Sequence, residues 1–182
     1  MAERREIRLA GSGGQGLILA GVILAEAVGI HEGKFVAQTQ SYGPEARGGA
    51  SKSEVVISDQ EIDYPKAVKP DILLVMNQTA CDLYIFDVKP GGTLIVDSSL
   101  VHHLPTSLAV ALPFTKIARE LGHEMMANVV ALGALATLTG MVSLPNLEDA
   151  LLARVPPGTK KLNKQALQAG VKAAKTYLKT KA

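Results

Sequence analysis

A glycine-dense hexapeptide, Gly11-Ser12-Gly13-Gly14-Gln15-Gly16, separates two apolar segments and constrains this chain more than any other feature. Before it, Ile7, Arg8, Leu9 and Ala10 read as a short buried strand. After it, residues 17–28 are almost unbroken apolar, with Glu26 the one charge, and read as a helix. Strand, glycine turn, helix is the order in which an α/β domain opens a phosphate or cofactor site. Glycine reaches positive φ at little steric cost, and a helix starting there offers free N–H groups to an anion. The spacing also satisfies G-x-G-x-x-G, a pattern that carries weight only in such a strand–helix context.

The 182 residues suffice for one domain with a real core, and 47% hydrophobic with 20% charged residues is a globular rather than a disordered composition. Trp is absent and aromatics are few, so the core must be built from Ala, Val, Leu and Ile. One cysteine, Cys81, permits neither an internal disulfide framework nor a cysteine-held iron–sulfur cluster within this chain. The charged start, Glu3-Arg4-Arg5-Glu6, does not resemble a secretory leader. The charge-free stretch 125–147 contains Asn128, Thr137, Thr139, Pro145 and Asn146, so it reads as a buried helix and turn rather than a membrane span. A cytoplasmic location is the expectation. Residues 154–182 carry eight basic residues and no acid, leaving the rest with 11 basic against 17 acidic residues. That asymmetry argues against a nucleic-acid binder, which would be basic over a broader face.

In chain order, strand 6–10, the turn and helix 17–28 lead to a second strand at 34–39. This is a βαβ unit, so the two strands are expected to be parallel with a right-handed crossover. A dinucleotide fold would place an acid at the end of the second strand to hold a ribose. Gln38, Thr39, Gln40 and Ser41 stand there instead, which weakens the case for NAD or FAD. A polar glycine-rich loop follows, then a strand at 53–58. Residues 72–76 are an unbroken apolar run, as a central parallel strand buried on both faces requires, and 93–97, with Leu94, Ile95 and Val96 at its centre, reads as another buried strand. Residues 107–112 suggest a last strand. Helices are expected at 78–88, 113–122, 128–139, 147–152 and from about 160 to the C-terminus. In the last, Leu167, Val171, Ala174 and Leu178 share one face and Lys161, Lys164, Lys172, Lys175 and Lys179 the other. The fold class is α/β: a single-domain (1–182), Rossmann-like open sheet, mostly parallel, with helices on both faces.

Ligands of open α/β sheets bind beyond the carboxyl ends of the strands. The turn 11–16 and the loop 41–49 both fall on that edge, and Asp97-Ser98 should share it. Two glycine-rich loops side by side, one holding Arg47, suit an anionic group, with N–H donors from one and a bidentate guanidinium from the other. The plain alternatives stay open: tight packing of helix on strand for the glycines, and an ion pair with Glu45 or contact with a partner chain for Arg47. Conventional catalytic sets are missing. His31, His102, His103 and His123 show no metal-ligand spacing, there is no G-K-[ST] after the glycines, and Cys81 reads as a core residue. The lysine stripe reads as a solvated face, with docking on an acidic partner the alternative.

Taken together, the turn 11–16, the run Gln40-Ser41-Tyr42-Gly43-Pro44-Glu45-Ala46-Arg47-Gly48-Gly49 and the strand 53–58 resemble the gamma subunit of 2-oxoacid:ferredoxin (acceptor) oxidoreductases, the 2-oxoglutarate branch most of all. Asn128, opening an apolar helix with Gly133 following, is similar too. The resemblance covers nearly the whole chain. It implies a subunit of an oxidoreductase, inactive when isolated, whose alpha and beta partners (and a ferredoxin-like delta) hold thiamine diphosphate, Mg²⁺ and the iron–sulfur clusters. It implies no cofactor held by this chain alone, no nucleic acid and no membrane, and coenzyme A as the substrate it helps to position. On this basis Gly11, Ser12, Gly13, Gly14, Gln15, Gly16, Ser41, Tyr42, Gly43, Glu45, Arg47, Gly48 and Gly49 form a rim facing coenzyme A or partner chains. Surfaces meant for partners would leave the isolated chain able to self-associate. A stand-alone nucleotide-binding enzyme and a purely structural assembly subunit are the alternatives.

Overall fold

The computed structural model describes residues 3–43 and 50–181. Six strands form one sheet in the order β2-β3-β1-β4-β5-β6. They are β1 (Arg4–Ser12), β2 (Phe35–Ser41), β3 (Ala50–Ser58), β4 (Ile72–Val75), β5 (Thr93–Asp97) and β6 (Val110–Leu112). The helices are α1 (Leu17–Glu26), α2 (Gln78–Tyr84), α3 (Phe114–Glu120), α4 (Ala127–Thr139), α5 (Leu144–Arg154) and α6 (Lys160–Lys181). A wider π-type turn, Ala27–His31, extends α1. The α/β class, the mostly parallel sheet and helices on both faces are as the pattern of apolar runs implies. Ile72 to Val75 are all buried, as are Leu94 to Asp97.

The βαβ expectation holds in strand direction, and the structure adds an intervening strand. The two strands do run parallel, but β3 lies between them and pairs antiparallel with both, Ser12 facing Ala50 and Ser41 facing Lys52. Burial explains the order. β3 presents Ser53, Val55 and Ile57 to one face and Glu54 and Val56 to the other, all buried, so it needs an interior position. β2 ends in Gln38, Thr39, Gln40 and Ser41 and is content at an edge. Gly21 lets α1 lie directly on β3, because a Cβ there would collide with the Ser53 side chain.

On one face of the sheet Ile7, Leu9, Val55, Leu74 and Ile95 meet α1, α3 and α4. On the other a smaller core of Ala10, Leu73, Val75, Leu94 and Val96 meets Ala80, Cys81 and Ile85 of α2 and the turn after it. Asn77 caps α2, its side chain accepting from the Ala80 N–H at 2.9 Å. The expected apolar helix at 128–139 is α4. It is buried from Ala127 to Ala136 because the sheet side and α6 enclose it.

α4 and α6 cross with their backbones in contact. A Cβ on Gly133 would overlap the Leu167 carbonyl oxygen, and one on Gly170 the Val130 carbonyl oxygen. Neither obstacle is a side chain that could turn away, so the helices must separate if either glycine grows. Gly133→Ala and Gly170→Ala are therefore each expected to destabilise the fold by about 1–3 kcal/mol. Gly158→Ala, which meets nothing within 4 Å, is the neutral control. Urea unfolding midpoints measure all three.

Candidate functional site

β1 ends and α1 begins across the hexapeptide, and its backbone is held in a specific shape. Gly14 and Gly16 take φ of 90° and 73°, values that favour glycine. Gln15 ties the turn down: its Oε1 accepts from the Ser12 N–H at 2.7 Å, and its Nε2 donates to the Met76 carbonyl at 3.0 Å. Gly11 has no room for a Cβ because that side chain and Leu17 fill the space. On the far side, Asn128 at the start of α4 donates to the Gly16 carbonyl at 3.0 Å, and a Cβ on Gly16 would lie 2.5 Å from its Nδ2. Gly13 and Gly14 are left exposed, with nothing within 4 Å of where their Cβ atoms would be.

The turn carries no charged side chain and α1 has no acid in its first turn. What it presents is backbone: the N–H groups at the start of α1, at the positive end of the helix dipole. Beyond β3, Ser41, Tyr42 and Gly43 leave β2 on the same edge of the sheet. Gly43, at φ 72°, packs against the Ala50 carbonyl, its absent Cβ 2.9 Å from that oxygen. Ala50 in turn pairs with Ser12. The turn and the described start of the second loop, residues 41–43, are thus neighbours, one strand start apart. Tyr42 is 63% exposed. Glu45, Arg47, Gly48 and Gly49 lie outside the described residues.

Asp97 differs from its expected role on the rim. It is fully buried and caps α3, accepting from the Thr115 N–H at 3.1 Å and the Ser99 N–H at 2.9 Å as well as from the Thr115 hydroxyl. Its carboxylate is committed to the fold. His102 and His103 lie exposed in a loop, their N–H groups bound by the Gln78 side chain. Cys81 is buried, and burial pushes its thiol above the usual range.

One charged cluster escaped the pattern of the sequence. Arg8, 4% exposed, donates to Glu54 at 2.8 Å and to the Ala67 carbonyl at 2.7 Å, pairs with Asp87, and stacks over Tyr84 at 5.2 Å. Lys52 completes it at 2.9 Å from Glu54. Burial raises the Tyr84 hydroxyl, with Arg8 opposing the shift. Its partners lie 46, 59 and 79 positions from Arg8, beyond any local spacing rule. Among the described residues no fully buried polar side-chain atom lacks a partner, so this cluster is a fastening rather than a vacancy for a ligand.

Residues 6–173 match the family described as pyruvate ferredoxin/flavodoxin oxidoreductase, and the chain belongs to that family. Within it, the relatives include separate gamma-type subunits of 2-oxoacid oxidoreductases. The 2-oxoglutarate synthase subunit KorC of Methanocaldococcus jannaschii is 52% identical over 177 residues, 94% of this chain and 95% of that one. The keto/oxoacid ferredoxin oxidoreductase gamma subunit of Geobacter sulfurreducens superposes with a TM-score of 0.88 at 50% identity, covering 96% of this chain and 98% of that one. A 2-oxoglutarate:ferredoxin oxidoreductase from Magnetococcus marinus, solved with 2-oxoglutarate, coenzyme A and succinyl-CoA bound, matches with a TM-score of 0.82 at 26% identity. There the match covers 96% of this chain but only 31% of the other. No described helix is long and apolar enough to cross a membrane.

The turn's geometry orders three alanine substitutions. Gly13→Ala should change stability by no more than about 0.5 kcal/mol, whereas Gly14→Ala forces a side chain into the left-handed region at about 1–2 kcal/mol. Gly16→Ala adds the displacement of Asn128 and should cost the most. Chemical unfolding of the three variants checks the order. Native Cys81 is expected to resist a thiol reagent that labels it fully in denaturant.

Proposed function

We propose that the whole chain, as one gamma-type domain, serves as the gamma subunit of a 2-oxoglutarate:ferredoxin oxidoreductase. Its glycine-turn rim positions coenzyme A or the chains that hold it. The observation that carries this reading is the end-to-end likeness to the KorC subunit, at 52% identity over 94% of this chain. Thiamine diphosphate with Mg²⁺ and iron–sulfur clusters, bound on alpha and beta partner chains and a ferredoxin-like delta, would supply decarboxylation of the 2-oxoacid and passage of two electrons to ferredoxin. The residues of this chain do not fit those groups: its one thiol is buried, and among the described residues no group of three or more His, Cys, Asp or Glu side chains could hold a metal.

What this chain adds is position. Exposed Gly13 and Gly14 let an anionic group approach the backbone, and the N–H groups opening α1 favour phosphate. Gln15 and Asn128 hold that backbone still. Arg47, on sequence grounds, adds a planar pair of donors suited to a phosphate. Sheet order supports coenzyme A over a dinucleotide. With β3 inserted, the end of β2 lies two strand spacings from β1, roughly 9–10 Å, so no residue there takes the place of the ribose-binding acid of a dinucleotide fold.

In the assembled complex, Arg47→Ala should raise the apparent KM for coenzyme A about ten-fold or more, the loss of one charge-assisted hydrogen bond of about 1.5–3 kcal/mol. Gly13→Asp should raise it too, by placing a carboxylate where a phosphate is expected, while thermal stability stays near that of the wild type. If both variants left that KM and the subunit stoichiometry unchanged, the positioning role would be refuted. Glycine-loop variants that lose assembly but never alter coenzyme A kinetics would point to a purely structural subunit. Measurable NAD binding by the isolated chain would point to a stand-alone enzyme.

A further inference from the structure

We infer that the cleft between α3 and α6 docks an acidic amphipathic helix from another subunit of the complex, an inference that rests on the subunit reading above. α6 carries two apolar stripes. Leu167, Gly170 and Ala174 are buried in the core. Ala169, Ala173 and Tyr177, at i, i+4 and i+8, line instead an open cleft of about 510 Å³ whose other wall is Pro113, Ile117 and Leu121. A helical stripe of this period is what a facing helix packs against, and the two alanines leave room for its side chains.

Charge specifies the occupant. Lys172 lines the cleft, and Lys161 and Lys179 stand 11 and 7 residues from it, intervals that return to nearly the same side of a helix. All three are exposed. Lys164 is set apart, since it already pairs with Glu148 at 2.6 Å. Lys172 thus stands on one lip of the groove, with Lys161 and Lys179 on the same side of α6 beyond its two ends, in a segment of eight basic residues and no acid. Glu120 stands on the α3 side. The lips differ in sign, so a docked helix would turn its carboxylates toward α6 and a basic or polar side chain toward α3, which fixes its orientation.

Other occupants fit less well. A second copy offering the same face would bring a single cleft carboxylate, Glu120, against the lysines of α6. A nucleic acid would satisfy the lysines but leave Ile117, Leu121 and Tyr177 wet. A membrane surface needs protruding apolar side chains, and these line a concavity.

The test uses the purified native complex and a carbodiimide, which joins a lysine directly to a carboxylate. Cross-links are expected from Lys161, Lys172 or Lys179 to Asp or Glu residues spaced three, four or seven apart in one segment of a partner subunit. The triple variant Lys161→Glu/Lys172→Glu/Lys179→Glu should weaken that subunit's binding at least about tenfold, with the unfolding midpoint of the isolated chain unchanged. Ala169→Gln with Ala173→Gln, which fills the groove and leaves the charges alone, should weaken it as well. Cross-links that join only two copies of this chain, or an intact complex whose lysines stay unlinked and whose triple variant binds as tightly, overturn the groove alone. A wild-type chain that assembles with nothing overturns the subunit reading and the groove with it.

Discussion

The contact between Asn128 and Gly16 sets the relation between the sheet and the helical layer stacked on it. Asn128 is 5% exposed, donates to the Gly16 carbonyl at 3.0 Å, and accepts from the Val129 N–H at 2.9 Å. It therefore joins the opening of α1 to the opening of α4. α4 is in turn fixed by its backbone contact with α6 at Gly133 and Gly170. Gly133 lies five residues from Asn128, roughly 7–8 Å along the helix. Any shift at the crossing is carried along a stiff rod to the turn. The shape of the exposed Gly13–Gly14 backbone thus depends on packing on the far side of the domain.

That dependence explains how much could be read from the chain. The apolar run 72–76 and the Leu94–Val96 centre of 93–97 read as central strands. The charge-free stretch around α4 could only be a buried helix. The strand–turn–helix opening followed from glycine spacing. These are local signals, and the corresponding elements form. The order of the strands is a competition between whole segments for the interior of the sheet, and no spacing within one segment reports it. β3 wins a central place because both its faces are apolar or paired, Glu54 against Arg8 included. The parallel direction of β1 and β2 is as the βαβ pattern implies, and the strand between them is what it does not report.

The turn was legible in the same measure. Gly14, Gly16 and Gly43 could be found, because each stands where φ is positive, and positive φ selects for glycine. Gln15 could be found only as a letter within the motif. Its role depends on the Met76 carbonyl, 61 positions away. Asp97 shows the opposite case. An acid at a strand end on the ligand-binding edge has the right address for chemistry, yet its carboxylate is committed to the start of α3 and to the Ser99 N–H. Position on the edge nominates a residue, and only its hydrogen bonds decide whether it is free to act.

A difference between relatives bears on the surfaces. In the Magnetococcus marinus oxidoreductase the matching region is 31% of one longer chain, whereas the KorC relative is matched over 95% of its length. A domain joined covalently to its neighbour is held at millimolar effective concentration whatever its surface offers. A separate chain must obtain that proximity from contact free energy. It should therefore expose more apolar surface than a self-sufficient monomer tolerates. Phe86, Leu108 and Met125 are more than 80% exposed, and the α3–α6 cleft joins apolar walls to a lysine lip. The turn is pinned from within by Gln15 and Asn128, whereas these exposed apolar side chains leave the exterior open to contact.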